Sequence, residues 1–146
     1  MQINAGTLGG SGRIGGPVVV GTGSGPGAFL APGRNGPGAL NTNRTLTFNA
    51  DASYQLDLKL DNATADKMTA KGVSIATGAL FTPTGLGTGT LTQGTVFTVI
   101  NNTGATPIAG TFSNLADGST LTVGGNTFQA NYEGGDGNDL TLTVVP

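Results

Sequence analysis

The sequence predicts an all-β chain whose short strands stack as a solenoid, and three observations carry this. Apolar residues alternate with polar ones in short runs, glycine punctuates those runs, and no window of about 11 residues shows helical periodicity. Units too short to form stable hairpins become stable by stacking on neighbours that share one core, with glycine supplying the left-handed corners.

The 146 residues fit one domain, residues 1–146. Its first stretch, 1–44, reads as glycine-rich rungs: Leu8, Ile14, Val18 with Val20, Phe29 with Leu30, then Leu40 stand between glycines. A flexible Gly/Ser linker is the alternative for this stretch, and the recurring Leu, Ile, Val and Phe argue against it. Residues 45–100 read as longer rungs. Leu46 and Phe48 are followed by Tyr54, Leu56, Leu58 and Leu60, with Gln55, Asp57 and Lys59 on the other face. Met68, Val73, Ile75, Leu80 and Phe81 come next, with Gly72 and Gly78 as corners, and then the run Val96 to Ile100. Residues 101–146 read as a hairpin-like closing segment carrying Phe112, Leu115, Leu121, Val123, Phe128, Tyr132, Leu140, Leu142 and Val144. Gly124-Gly125, between two alternating runs, signals a hairpin. The expected core includes Phe48, Leu56, Leu58, Val73, Ile75, Val99, Phe112, Leu121, Phe128 and Leu142.

Composition narrows the function. With 27 glycines, no tryptophan and 10% charged residues, disorder is the first alternative, because such a chain buries little against the entropy of folding. Apolar pairs recurring from Leu46 to Val145 argue against it. A net charge of −2 with six scattered Lys and Arg leaves no basic stripe for nucleic acid or anionic lipid. No cysteine means no disulfide or thiolate site, and no histidine removes the commonest general base. Apolar runs such as Pro17 to Val20 are too short for membrane insertion. Met1 is followed by Gln2-Ile3-Asn4, neither a charged nor an apolar signal region, so a removed signal or a section of a longer secreted protein is expected.

Taken in order, INAGTLGGSGRIGG, LAPG, LTFNADASYQLDL, ADKMTAKGVSIATGALF, GTVFTVINN and TFSNLADGSTLTVGGNTFQANYEGGDGNDLTLTVV resemble the autotransporter-associated β-strand repeat proteins over Ile3 to Val145. The resemblance implies a right-handed parallel β-helix with a partly antiparallel C-terminal segment. It also implies a secreted bacterial protein, extracellular or at the cell surface, with a passenger or spacer role and no enzymatic activity. Family members are long multi-repeat chains with a signal peptide and often a translocator barrel or anchoring tail. This sequence is expected to correspond to a last repeat and terminal segment.

GGDGNDLTL fits the glycine and aspartate positions of the calcium nonapeptide G-G-x-G-x-D-x-U-x. The calcium candidates are Asp136, Asp139 and Glu133. Thr141 takes the position of the large apolar residue, Leu140 and Leu142 flank it, and there is one copy, so a structural turn is the expectation and no cofactor is called for. Asp57 and Asp61 share strand parity and raise a glycosidase pair, but four residues of strand span roughly 13 Å, beyond such a pair, and a solvated face with Lys59 suffices. Asp66 reads as a turn or cap, Asp117-Gly118 as a hairpin turn and Asn101-Asn102 as a left-handed corner. Sequons at Asn43, Asn62 and Asn101 are expected by chance in a Thr- and Asn-rich chain. Thr rows facing ice or flat carbohydrate lack a regular file.

The expected function is a non-catalytic structural module. A calcium-dependent adhesion or secretion module, a passive spacer and a carbohydrate-active β-helix enzyme are the alternatives, and contact with carbohydrate or a cell surface stays open. Its expected partner is itself. The first rung begins without a capping helix and the chain finishes in LTLTVV with Pro146 after it, which suggests head-to-tail pairing through two exposed rungs into a filament.

Overall fold

The structure, a computed structural model, describes residues 1–33 and 38–146. Residues 34–37 of the glycine-rich stretch lie outside it. Within the described residues the chain is all β, visiting three sheets in turn. The first cycle lays down β1 (Gln2–Ile3), β2 (Gly6–Gly10) and β3 (Gly12–Ile14). The second gives β4 (Val18–Val20), β5 (Ala28–Pro32) and β6 (Ala39–Thr42). The third gives β7 (Leu46–Phe48), β8 (Ala52–Lys59), the two-residue β9 (Thr64–Ala65) turned back against β8, and β10 (Lys67–Ala70). The fourth gives β11 (Val73–Ile75), β12 (Leu80–Leu86) and β13 (Val96–Asn102). A closing segment follows with β14 (Thr120–Val123), β15 (Asn126–Gly134) and β16 (Asp139–Val145).

Each cycle adds one strand, in parallel, to each sheet. Sheet A is β1-β4-β7-β11 and sheet B is β2-β5-β8-β12. Sheet C begins β3-β6-β10-β13 and continues antiparallel through β16, β15 and β14. The architecture is therefore all-β with mixed parallel and antiparallel sheets.

Register follows from alternation, because a one-residue slip would turn every inward side chain outward. Val20, Phe48 and Ile75 form one row, Leu30, Tyr54 and Phe81 a second, and Leu40, Met68 and Ile100 a third. All nine are buried. Nine of the ten expected core residues are likewise buried, and Leu121 packs against the core half-buried. The Tyr54 hydroxyl crosses the core to donate to the Val99 carbonyl at 2.6 Å, so its one polar atom is satisfied where burial raises its pKa well above the usual value.

Corners require particular backbone. Gly78 has φ of 106°, and a Cβ there would meet the Ala50 carbonyl oxygen at 2.9 Å. Gly124-Gly125 joins β14 to β15 with both φ positive, 56° and 81°, as a two-residue type I′ hairpin demands. Asn101 and Asn102 are not a left-handed corner: both remain in β13, and Ala63 is the non-glycine residue at positive φ among the described residues. Asn102 serves the corner through its side chain instead. Its Oδ1 accepts from the N–H of Gly72 and of Gly104, each at 3.0 Å, while its Nδ2 donates to the Thr106 carbonyl at 2.9 Å. Asp117-Gly118 is a turn, but it leads into β14 from a segment without strand, so it joins no hairpin.

Candidate functional site

Two carboxylates, Asp51 and Asp66, lie between strands and bind the backbone there. Asp66, 1% exposed, accepts from the Gly38 N–H with one oxygen and from the Asp57 N–H with the other, both at 2.8 Å. Burial pushes its pKa up to about 6, against the two N–H donors that favour its charge. Asp51 gathers the loop between β4 and β5. It accepts from Gly23 at 2.7 Å and Gly25 at 3.1 Å, and the Gly23 bond leads in holding its carboxyl below the ordinary value.

The suspected glycosidase pair does not form on one strand. Asp57 lies on the outward face of β8, while Asp61 lies past the end of that strand, its carboxyl beside Gly87. The cleft of about 370 Å³ outside sheet B is bordered by Asp57, Asp66, Gln55, Thr82 and Thr84. Both Asp66 oxygens are taken up by backbone donors, which leaves Asp57 as the reachable carboxylate, whereas glycoside hydrolysis uses two.

The three calcium candidates divide into two places. Glu133 is exposed beside Asp117; loss of solvation, then that carboxyl, raises its pKa. Asp139 is buried with Asp136 as neighbour; burial leads its upward shift, opposed by the Asn102 N–H, which donates to Oδ1 at 2.9 Å. Among the described residues, no group of three or more Asp or Glu is arranged to hold a metal ion. The turn's contacts run to the end of the fourth cycle: besides the Asp139 bond, Asn138 Nδ2 donates to the Gly104 carbonyl at 2.7 Å. Asn138 Oδ1 is buried without a partner among the described residues. Leu140, Leu142 and Val144 face the core, and Thr141 on the opposite side is buried too, against Gly134.

What the sequence did not reveal is how the two ends of the stack differ. At the first cycle, nothing among the described residues pairs with the outer edges of β1, β2 and β3, and Ile3, Leu8 and Ile14 are half-buried. At the far end all three sheets meet a partner. Ala109 bonds both ways with sheet A, accepting from Ile75 at 2.7 Å and donating to Val73 at 3.0 Å. On sheet B, Ser113 donates to the Ala79 carbonyl at 2.8 Å, and the Asn114 amide accepts from Phe81 N–H at 2.8 Å and donates to Phe81 C=O at 2.7 Å. That amide imitates the strand that is not there. Sheet C is continued by β16, which pairs with β13 on one edge and β15 on the other. The expectation that LTLTVV would be an exposed rung is thus corrected: Leu140 to Val145 lie in an interior strand.

The closing segment also plugs the core. Phe112 lies 5.1 Å from Phe48, 5.8 Å from Phe81 and 6.2 Å from Tyr54, ring centre to ring centre. The Tyr132 hydroxyl holds that segment, accepting from Phe112 N–H at 3.1 Å and donating to the Leu115 carbonyl at 2.6 Å. Exposed basic groups Arg13 and Arg44 lie towards the open end, and Asp117, Glu133, Asp136 and Asp139 all belong to the closing segment. No protein-family model matches the chain, and no curated protein or solved structure is significantly similar to it.

Proposed function

We propose that this chain is a non-catalytic structural module: a right-handed parallel β-helix, closed at one end, that associates head-to-tail with further copies of itself. The observation that carries the reading is the fourfold return of the chain to the same three sheets in the same order. Such a stack adds strands wherever an edge is open, and among the described residues the outer edges of β1, β2 and β3 have no partner, nor has that of β14 at the other end of sheet C. The polar groups support the same reading, since Asp51, Asp66, Asn102 and Asp139 are engaged by backbone N–H groups. A place outside a bacterial cell, and kinship with the autotransporter-associated β-strand repeat proteins, belong to this reading and rest on the residue order and composition alone.

Electron microscopy and sedimentation of the purified chain at rising concentration test it. Unbranched end-to-end particles are expected. Uniform monomers at high concentration would leave a passive spacer, and turnover of any member of a polysaccharide panel, lost in Asp57→Asn, would overturn the non-catalytic assignment.

A further inference from the structure

Charge is segregated along this chain, and stacking turns the segregation into polarity. All six lysines and arginines lie at or before Lys71, and no acidic residue precedes Asp51. Beyond Lys71 the charged side chains are Asp117, Glu133, Asp136 and Asp139. Sheet C runs β3-β6-β10-β13-β16-β15-β14, which puts Arg13 on one edge strand and Glu133 five strand steps away, roughly 24 Å at ordinary strand spacing. That distance exceeds the screening length of about 8 Å at physiological ionic strength, so the two groups do not neutralise each other within one molecule.

Each end has a reason to take up the opposite charge. Glu133 beside Asp117, and Asp136 beside Asp139, are carboxyls crowded in pairs, with no lysine or arginine after Lys71 in the sequence. Towards the other end, exposed Arg13 stands on the edge strand β3 and exposed Arg44 in the turn between β6 and β7, one corner further in, with the half-buried Ile3, Leu8 and Ile14 on strands whose outer edges no described residue pairs. Two copies meeting with like ends would set guanidinium against guanidinium or carboxylate against carboxylate, an arrangement that suppresses binding.

We propose that a second copy of this chain docks its acidic closing segment onto the basic first cycle of its neighbour, and that this complementarity sets the head-to-tail direction of the contact. The inference rests on the self-associating reading above and adds to it the two surfaces and the control by salt. The contact is heterologous, leaves one free end of each kind and therefore propagates. It replaces the interior β16 with the acidic turns and the face around them as the surface that meets the open edges.

Sedimentation velocity at about 20 mM and about 500 mM NaCl tests it. The variants are Arg13→Glu with Arg44→Glu, and Glu133→Lys with Asp136→Lys, all four positions being exposed. Circular dichroism establishes that each is folded. Each double variant is expected to associate about tenfold more weakly than the parent chain at low salt, the scale of two exposed ion pairs. An equimolar mixture of the two restores assembly, because each now carries the complement of the other. Assembly of the parent chain that ignores both salt and charge reversal, or folded variants whose mixture stays dissociated, overturns the polar contact and leaves self-association standing. A parent chain that remains monomeric at every salt concentration overturns both.

Discussion

The first cycle and the closing segment stand at opposite ends of the strand order, and they differ in what happens to the backbone. Ile3, Leu8 and Ile14 repeat the pattern of the buried rows beneath them, yet no described residue pairs with the outer edges of their strands. At the far end Ala109, Ser113, Asn114 and β16 occupy the edges, and Pro83 within β12 removes one donor from what remains. Alternation therefore sets the inward faces, while a side-chain amide, one proline and an antiparallel meander occupy the edges beyond the fourth cycle.

The sharpest way to break this contrast is to remove the plug. Phe112→Ala should cost about 3–5 kcal/mol in urea unfolding, because the ring is fully enclosed by three other aromatics. Leu8→Ala, half-buried at the open end, should cost under about 1.5 kcal/mol. Equal costs would mean that the two ends are equally closed. Next in size is Asn114→Ala, which strands the N–H and C=O of Phe81 and should destabilise by about 1–3 kcal/mol. Light scattering should rise as the sheet B edge is freed; an unchanged signal would show that the amide does not guard it.

Acidity should act on the two ends in opposite senses. Asp51, near the second cycle, has a folded pKa below its unfolded value, so its contribution is present above the unfolded value and is lost as pH falls through the folded one. Asp139 and Glu133 are shifted upward, so their contribution is full below the unfolded values and is lost as pH rises through the folded ones. Asp66, between them and facing Asp57 and Tyr54, loses its contribution as pH climbs from about 4 to about 6. Hydrogen exchange at pH 3 and pH 7 should show faster opening of residues 21–27 on acidification and slower opening around 133–139. In Asp66→Asn the pH dependence of stability between about 4 and 6 should flatten. The smallest effect is expected from calcium: millimolar ion should move Tm by less than about a degree. A rise of many degrees that vanishes in Asp139→Ala would show that the turn holds an ion.

The rows of the core were legible because alternation is local. Val73 and Ile75, or Leu56 and Leu58, announce their inward face within a few residues. The Gly124-Gly125 turn was legible for the same reason. Asn102, Asn114 and Tyr132 were not, because each acts on backbone that lies far away in sequence, 30 residues for Asn102 with Gly72 and 33 for Asn114 with Phe81. The position of β16 was hidden too, since strand order leaves no trace in the periodicity of a strand. The charge polarity was present in the sequence throughout, but scattered charges acquire direction only once strands stack in chain order.

The junction at β13 bears on how the molecule comes to be folded. That strand runs parallel to β10 and antiparallel to β16, which follows β14 and β15 in the chain yet lies inside the sheet. The β14–β15 and β15–β16 hairpins are local and close quickly, whereas each parallel cycle must first close a long loop. The meander can therefore form early and dock as a preassembled unit, offering β13 a ready edge against which the slower parallel strands condense. Stopping synthesis before Asp139 would withdraw that edge and expose β13 and β15 together, so aggregation during refolding should begin at this joint.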